Sequence, residues 1–155
     1  MCKTGEMSGN SLVSIVIPVF NEAEVFDELV RRCLAAGESM NRPFEVVLVN
    51  DGSSDNSAAL IAAAAGKHSG KIVGVLLNRN YGQHAAVLAG FENARGEIIV
   101  TLDADLQNPP EEIPKLVAKI DEGYDVVGTA RVPRRDSVLR RIGSATVNRM
   151  ARATT

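Results

Sequence analysis

The stretch "IIVTLDADLQNPPEE" runs from Ile98 to Glu112. An apolar run ends on two carboxylates one residue apart, Asp103 and Asp105, and Pro109-Pro110 then turns the chain. The run predicts a buried strand over 97–103. Glu111 and Glu112 predict a helix through about Glu122, with its acids at the positive end. On an extended segment residues i and i+2 point to the same side, so the two aspartates would sit together. Anions held that close repel each other unless a cation lies between them or one is protonated. Mg²⁺ or Mn²⁺ resolves the conflict, because it takes oxygen ligands and fills its shell with water and substrate phosphate. D-x-D alone also fits a loop with Asx-turn chemistry, and the neighbouring elements have to decide.

Outward from this stretch the chain alternates. "LVSIVIPVF" (12–20), "FEVVLVN" (44–50), "KIVGVLLN" (71–78) and "DVVGTA" (125–130) read as further strands, with 97–103 fourth in order. Between them, 22–36 spaces Val25, Phe26, Leu29, Val30, Cys33 and Leu34 as a helix ended by Gly37. A second helix is expected from a Ser54 or Asp55 cap through Ala65, and a third over 83–94 with Gly96 behind it. Such alternation implies a mainly parallel sheet with helices on both faces. Ligands of such sheets sit at the carboxyl ends of the strands. Four polar clusters fall there: Asn21-Glu22, Asn50-Asp51-Gly52, Asn78-Arg79-Asn80 and Asp103-Ala104-Asp105. Their shared edge favours the metal–diphosphate reading of the two aspartates.

Several chemistries are excluded. The sequence has no G-x-G-x-x-G after the first strand, no P-loop and no G-x-S-x-G elbow. His68 reads as a solvated loop residue, and His84 stands at an expected helix start. The 155 residues suffice for one domain with a hydrophobic core. Aromatic residues make up 4%, Trp is absent and the net charge is -2, which argues against a nucleic-acid partner. The charge is uneven: from Arg131 onward seven arginines face one acid, Asp136. Such a segment suits an anionic partner. Cys2 and Cys33 have no C-x-x-C spacing and read as free thiols of a reducing compartment. The run 12–20 is too short for a secretory signal, and no stretch approaches the ~18–20 apolar residues of a membrane span.

Together "VSIVIPVFNE", "VLVNDGSSDNS", "NRNYGQHAAVLAGFENARGEIIVTLDADLQNPPEEIPKLV" and "YDVVGTARVPRRDS" resemble a family-two glycosyltransferase with the GT-A fold. Within it they are most similar to the polyprenyl-phosphate subgroup and its lipid A modification members. The resemblance covers about Leu12 to Thr155. It implies a Rossmann-like, mainly parallel sheet and an inverting, metal-dependent transfer from a nucleotide diphosphate sugar, UDP-linked in preference to GDP-linked, to a polyprenyl phosphate. It implies that Pro18, Val19, Phe20, Asn21 and Glu22 line the nucleoside, that Asp51 hydrogen-bonds the base, and that Asn80, Gly82, Asp103 and Ala104 complete the nucleotide site. Asp103 and Asp105 would hold Mg²⁺ or Mn²⁺ and the diphosphate, with Gln107 assisting the metal. Arg131 would face the diphosphate or the acceptor phosphate, as a catalytic residue beside Asp103 and Asp105. Asn21 also fits a helix cap, and Gly52 and Gly82 fit plain turns.

The implied organisation is a disordered tail over 1–11, a nucleotide-sugar-binding domain over 12–130 and a basic amphipathic segment over 131–155. That segment suits an anionic membrane surface, at the cytoplasmic face of the bacterial inner membrane in full-length relatives. A solvated terminal helix is the alternative. The chain departs from the family in length, since relatives continue into an acceptor-side segment and membrane helices. It is therefore expected to be truncated, a donor-binding part whose transfer activity is open. Asn50, where many relatives carry Asp, is a second and minor departure.

Overall fold

The computed structural model describes residues 10–129. Cys2, Arg131 and the basic segment 131–155 lie outside them. Four strands form one sheet: β1 (Val13–Val19), β2 (Phe44–Asn50), β3 (Ile72–Leu76) and β4 (Ile98–Thr101). Its order is β3-β2-β1-β4, and every neighbouring pair is parallel. The connections are α1 (Phe26–Ser39), α2 (Ser57–Lys67) and α3 (Gln83–Asn93), and α4 (Ile113–Asp121) follows a 3₁₀ turn at Pro110–Glu112.

Strand alternation sorts the core onto two faces. Val13, Ile15, Ile17 and Val19 of β1 join Val46, Leu48, Ile98 and Val100 beneath α1, α2 and α4. Val16, Val47 and Val49 face the other way, against Ala86 of α3. Helices thus cover both faces, three against one. α3 packs closely because a Cβ at Gly90 would stand 2.3 Å from Val16 Cγ1.

The order places a topological switch point beside β1, since β2 and β3 extend one way and β4 the other. β4 is also short. Its last pair is Thr101 with Val16, whereas β1 continues to Val19 opposite Asn50. This explains Pro18 in an inner strand, where a missing N–H normally breaks the ladder. The main chain of Leu12 and Val16 faces β4, so by alternation Pro18 does too, and β4 has already turned away there.

Some expectations are corrected. Residues 125–129 form no strand, and Val126 is 86% exposed. A β-branched run forms a strand only where a neighbouring backbone satisfies its hydrogen bonds, and none pairs with these residues among those described. Gly37 lies inside α1 rather than ending it. Its missing Cβ makes room for the Phe44 ring, 2.3 Å from that point, and Asn41 takes the left-handed position instead, with φ 52. α1 begins at Phe26, not Glu22, because the backbone N–H groups of Asn21, Glu22 and Ala23 donate to side chains of Ser53, Ser57 and Asp55. α2 begins at Ser57, whose N–H donates to Asp55 Oδ1. Ser11, at the end of the expected tail, is already buried and donates to Glu97 Oε2. Cys33 is a free, buried thiol, pushed up to about 12 by burial.

Candidate functional site

A cleft of about 360 Å³ opens at the carboxyl ends of the strands. Pro18, Val19, Phe20 and Glu22 come from the end of β1, Asp51 from β2, Asn80, Gly82 and Gln83 from the β3–α3 turn, and Asp103, Ala104 and Asp105 from beyond β4. The four polar clusters of the sequence do share one edge.

The aspartate pair does not lie on extended strand, since residues 104 and 105 form a turn. Alternation nonetheless survives the turn. Leu102 and Ala104 are buried and Leu106 is partly buried against the core, while Asp105 and Gln107 are exposed and Asp103 is half-buried. Leu106 accepts a left-handed backbone, φ 58, and its core contacts hold it there. Asp105 Oδ1 accepts the Gln107 N–H at 3.0 Å, an Asx turn that sets the aspartate's direction. The local Asx turn is present, and both carboxylates line the cleft.

Asp51 is 2% exposed, and its oxygens accept the N–H groups of Tyr81 at 2.8 Å and Gly82 at 3.0 Å. Asn80 Oδ1 also accepts the Gly82 N–H. The β2 and β3 loops touch so closely that a Cβ on Gly52, at φ +65, would stand 2.2 Å from the carbonyl carbon of Arg79. Gly52 is therefore a packing requirement and not only a turn residue. Arg79 stacks over the Tyr81 ring, 4.7 Å from its centre, outside the cleft lining.

Four carboxylates and, among the described residues, no cationic side chain line the cleft. Glu22 shows the consequence. Burial pushes its carboxyl above the ordinary range, and Asp105, Asp55 and Glu24 push it further. Among the described residues no three His, Cys, Asp or Glu cluster tightly enough to cage a metal unaided.

Two expected site residues are not brought into the cleft. Asn21 does not line it, and it does not cap α1 either. At φ 56 its Oδ1 accepts the N–H of Ser54 at 2.8 Å and of Asp55 at 3.3 Å, stitching the β1 loop to the β2 loop and so placing Glu22. Gln107 is also absent from the lining, and its backbone serves Asp105. Arg131 lies outside the described residues. His84 does not line the cleft. Gln83 does and was not expected. The available signal was its place as first residue of a helix, since helical side chains lean toward the N-terminus and hence toward the strand ends.

The glycosyl transferase family 2 model matches residues 14–152. Over 143 residues the chain is 59% identical to undecaprenyl-phosphate 4-deoxy-4-formamido-L-arabinose transferase of Shewanella sediminis (strain HAW-EB3), covering 92% of this chain and 43% of that protein. The chain thus spans under half the length of this relative. Among solved structures, the mannosyltransferase PcManGT of Pyrobaculum calidifontis, in complex with GDP-Man and Mn²⁺, is similar with TM-score 0.65 and 23% identity over 81% of this chain and 37% of its own. S. aureus TarS 1-349 in complex with UDP-GlcNAc is similar with TM-score 0.53 and 18% identity, over 80% and 38%. These likenesses carry the GT-A fold. With the parallel sheet, the acidic cleft at its switch point and a family match across most of its length, the chain belongs to glycosyl transferase family 2.

Proposed function

We propose that the cleft holds the diphosphate of a nucleotide sugar, UDP-linked, together with Mg²⁺ or Mn²⁺. The chain is then the donor-binding part of an inverting transferase that passes the sugar to a polyprenyl phosphate such as undecaprenyl phosphate. The observation that carries this reading is the charge of the cleft. Among the described residues four carboxylates line it without a cationic side chain, and these carboxylates would repel a diphosphate unless a cation accompanied it. The donor set fits such a cation: hard carboxylate oxygens, too few for a closed protein cage, leaving positions for phosphate oxygens and water. The acceptor rests on the name of the Shewanella relative. The preference for UDP rests on the family resemblance.

The roles are those the family resemblance implies, and the composition of the cleft lining supports them. Asp103 and Asp105 would hold the cation, which when bound neutralises charge growing on the departing diphosphate. Pro18, Val19 and the half-exposed Phe20 form an apolar wall for the nucleoside. Glu22 faces the ribose or base from that wall. Asp51 fixes the Tyr81–Gly82 turn with two of its lone pairs and keeps others for the base. Attack by a phosphate oxygen needs no proton removed, so the site needs no general base. Arg131 would face the diphosphate or the acceptor phosphate, and the basic segment would lie at an anionic membrane surface, as at the cytoplasmic face of a bacterial inner membrane. Among the described residues no helix is long and apolar enough to cross a membrane.

Calorimetric titration of UDP with and without Mn²⁺ tests the reading. Binding is expected to require Mn²⁺ and to weaken roughly 30-fold or more in Asp103→Ala/Asp105→Ala. Metal-independent binding, or an unchanged double variant, would refute it. Transfer is a separate question, because the chain spans 43% of its relative. Incubation with a UDP-sugar and undecaprenyl phosphate distinguishes a chain that transfers from one that only holds the donor.

A further inference from the structure

Gln83 is the first residue of α3, and its Nε2 donates to Asp103 Oδ1 at 2.8 Å. Among the described residues this is the hydrogen bond that fixes the Asp103 side chain. It occupies one carboxylate oxygen of a residue that lines the cleft, and among the described residues Oδ2 has no hydrogen-bond donor. Gln83 is itself held from the other side of the sheet. The buried Asp51 at the end of β2 grips the N–H groups of Tyr81 and Gly82, Asn80 grips Gly82 again, and Gly52 packs on the Arg79–Asn80 backbone. The line Asp51, Gly82, Gln83, Asp103 therefore spans the switch point, from the end of β2 to the turn after β4.

The side-chain type suits the task. A carboxylate at position 83 would repel Asp103. A lysine would hold it but cancel the charge that a cation requires. An amide donates one N–H and adds no charge of its own. We propose that Gln83 is a positioning residue, setting the Asp103 carboxylate with one oxygen free for the divalent cation of the donor site. This role rests on the function proposed above.

The test uses the full chain, Mn²⁺ and UDP. Gln83 is exposed, so Gln83→Ala should leave the thermal midpoint within about 1 °C of wild type. Its Mn²⁺ affinity in the presence of UDP, read by electron paramagnetic resonance, should fall roughly tenfold, a larger loss than any in metal-free UDP affinity. Gln83→Lys should also lose Mn²⁺ affinity while binding UDP better than wild type without metal. Wild-type Mn²⁺ affinity retained in Gln83→Ala, or a loss matched by a fall in thermal midpoint, would overturn the positioning role alone. Absence of Mn²⁺-dependent UDP binding in the wild type would overturn the proposed function and this role with it.

Discussion

The two ends of the sheet treat acidic residues in opposite ways. At the amino end Glu45 has a fully buried side chain that accepts four hydrogen bonds. Ser14 Oγ reaches Oε1 at 2.7 Å, the Arg95 N–H reaches it at 2.7 Å, and the Arg95 guanidinium reaches Oε2 at 2.8 and 2.6 Å. Burial alone would raise this carboxyl, but the Arg95 and Ser14 bonds outweigh it and leave it below the ordinary range. At the carboxyl end burial pushes Glu22 upward, and the neighbouring acids Asp105, Asp55 and Glu24 push it further. A saturated carboxylate is part of the scaffold. A cluster with no cation beside it among the described residues keeps unused capacity for a ligand, as functional sites commonly do.

The sharpest way to break this contrast is Glu45→Ala. It strands the buried Ser14 hydroxyl, while the largely exposed Arg95 guanidinium can turn to water, and loss of the carboxylate costs about 2 kcal/mol. The urea midpoint should fall accordingly, while Mn²⁺-dependent UDP binding in the folded protein stays at the wild-type level. A stable variant that no longer bound UDP would invert the contrast.

Acid is the next lever. Glu111 follows the aspartate loop and pairs with Arg32 of α1 at 2.8 and 2.5 Å. The Arg32 hydrogen bonds hold its carboxyl at about 2, down from 4.5. The folded value lies below the unfolded one, so this stabilisation is complete above pH 4.5 and is lost as pH falls toward 2. Glu45, also lowered, acts in the same direction. Urea midpoints should drop between pH 5 and 3, and Glu111→Gln should flatten the drop while lowering the midpoint at neutral pH. Because both partners of this pair are partly exposed, added salt should weaken the effect. A pH profile unchanged in Glu111→Gln would show that the pair contributes nothing measurable.

The sequence made the sheet legible because its strands are short apolar runs punctuated by polar groups. Four of the five expected strands form, and the cleft gathers ten of the expected site residues from Pro18 to Asp105. What escaped reading was tertiary. Gly37 looks like a helix stop until the Phe44 ring occupies the space beside it. Asn21 looks like a ligand-edge residue, but its amide oxygen is taken by the Ser54 and Asp55 N–H groups, distant in sequence. The run 125–129 has strand composition but no strand pairs with it among the described residues. Gln83 was missed because its role depends on a partner twenty residues away on another element.

The smallest expected effect has the opposite sign. Glu22 has a folded pKa above its unfolded value, so its ionised form opposes folding, most fully at pH values above the raised folded pKa. Glu22→Gln keeps the shape, and the backbone N–H still donates to Ser57 Oγ. Without metal its thermal midpoint should rise slightly, by roughly 1–3 °C, and the rise should vanish as pH approaches 4. With Mn²⁺ and UDP the order should reverse, because the wild type gains more from the bound cation than a variant with one fewer carboxylate. Thermal shifts with and without Mn²⁺ and UDP measure both signs on one sample. A variant destabilised in both conditions would mean that Glu22 is held like Glu45, and the two ends of the sheet would no longer differ.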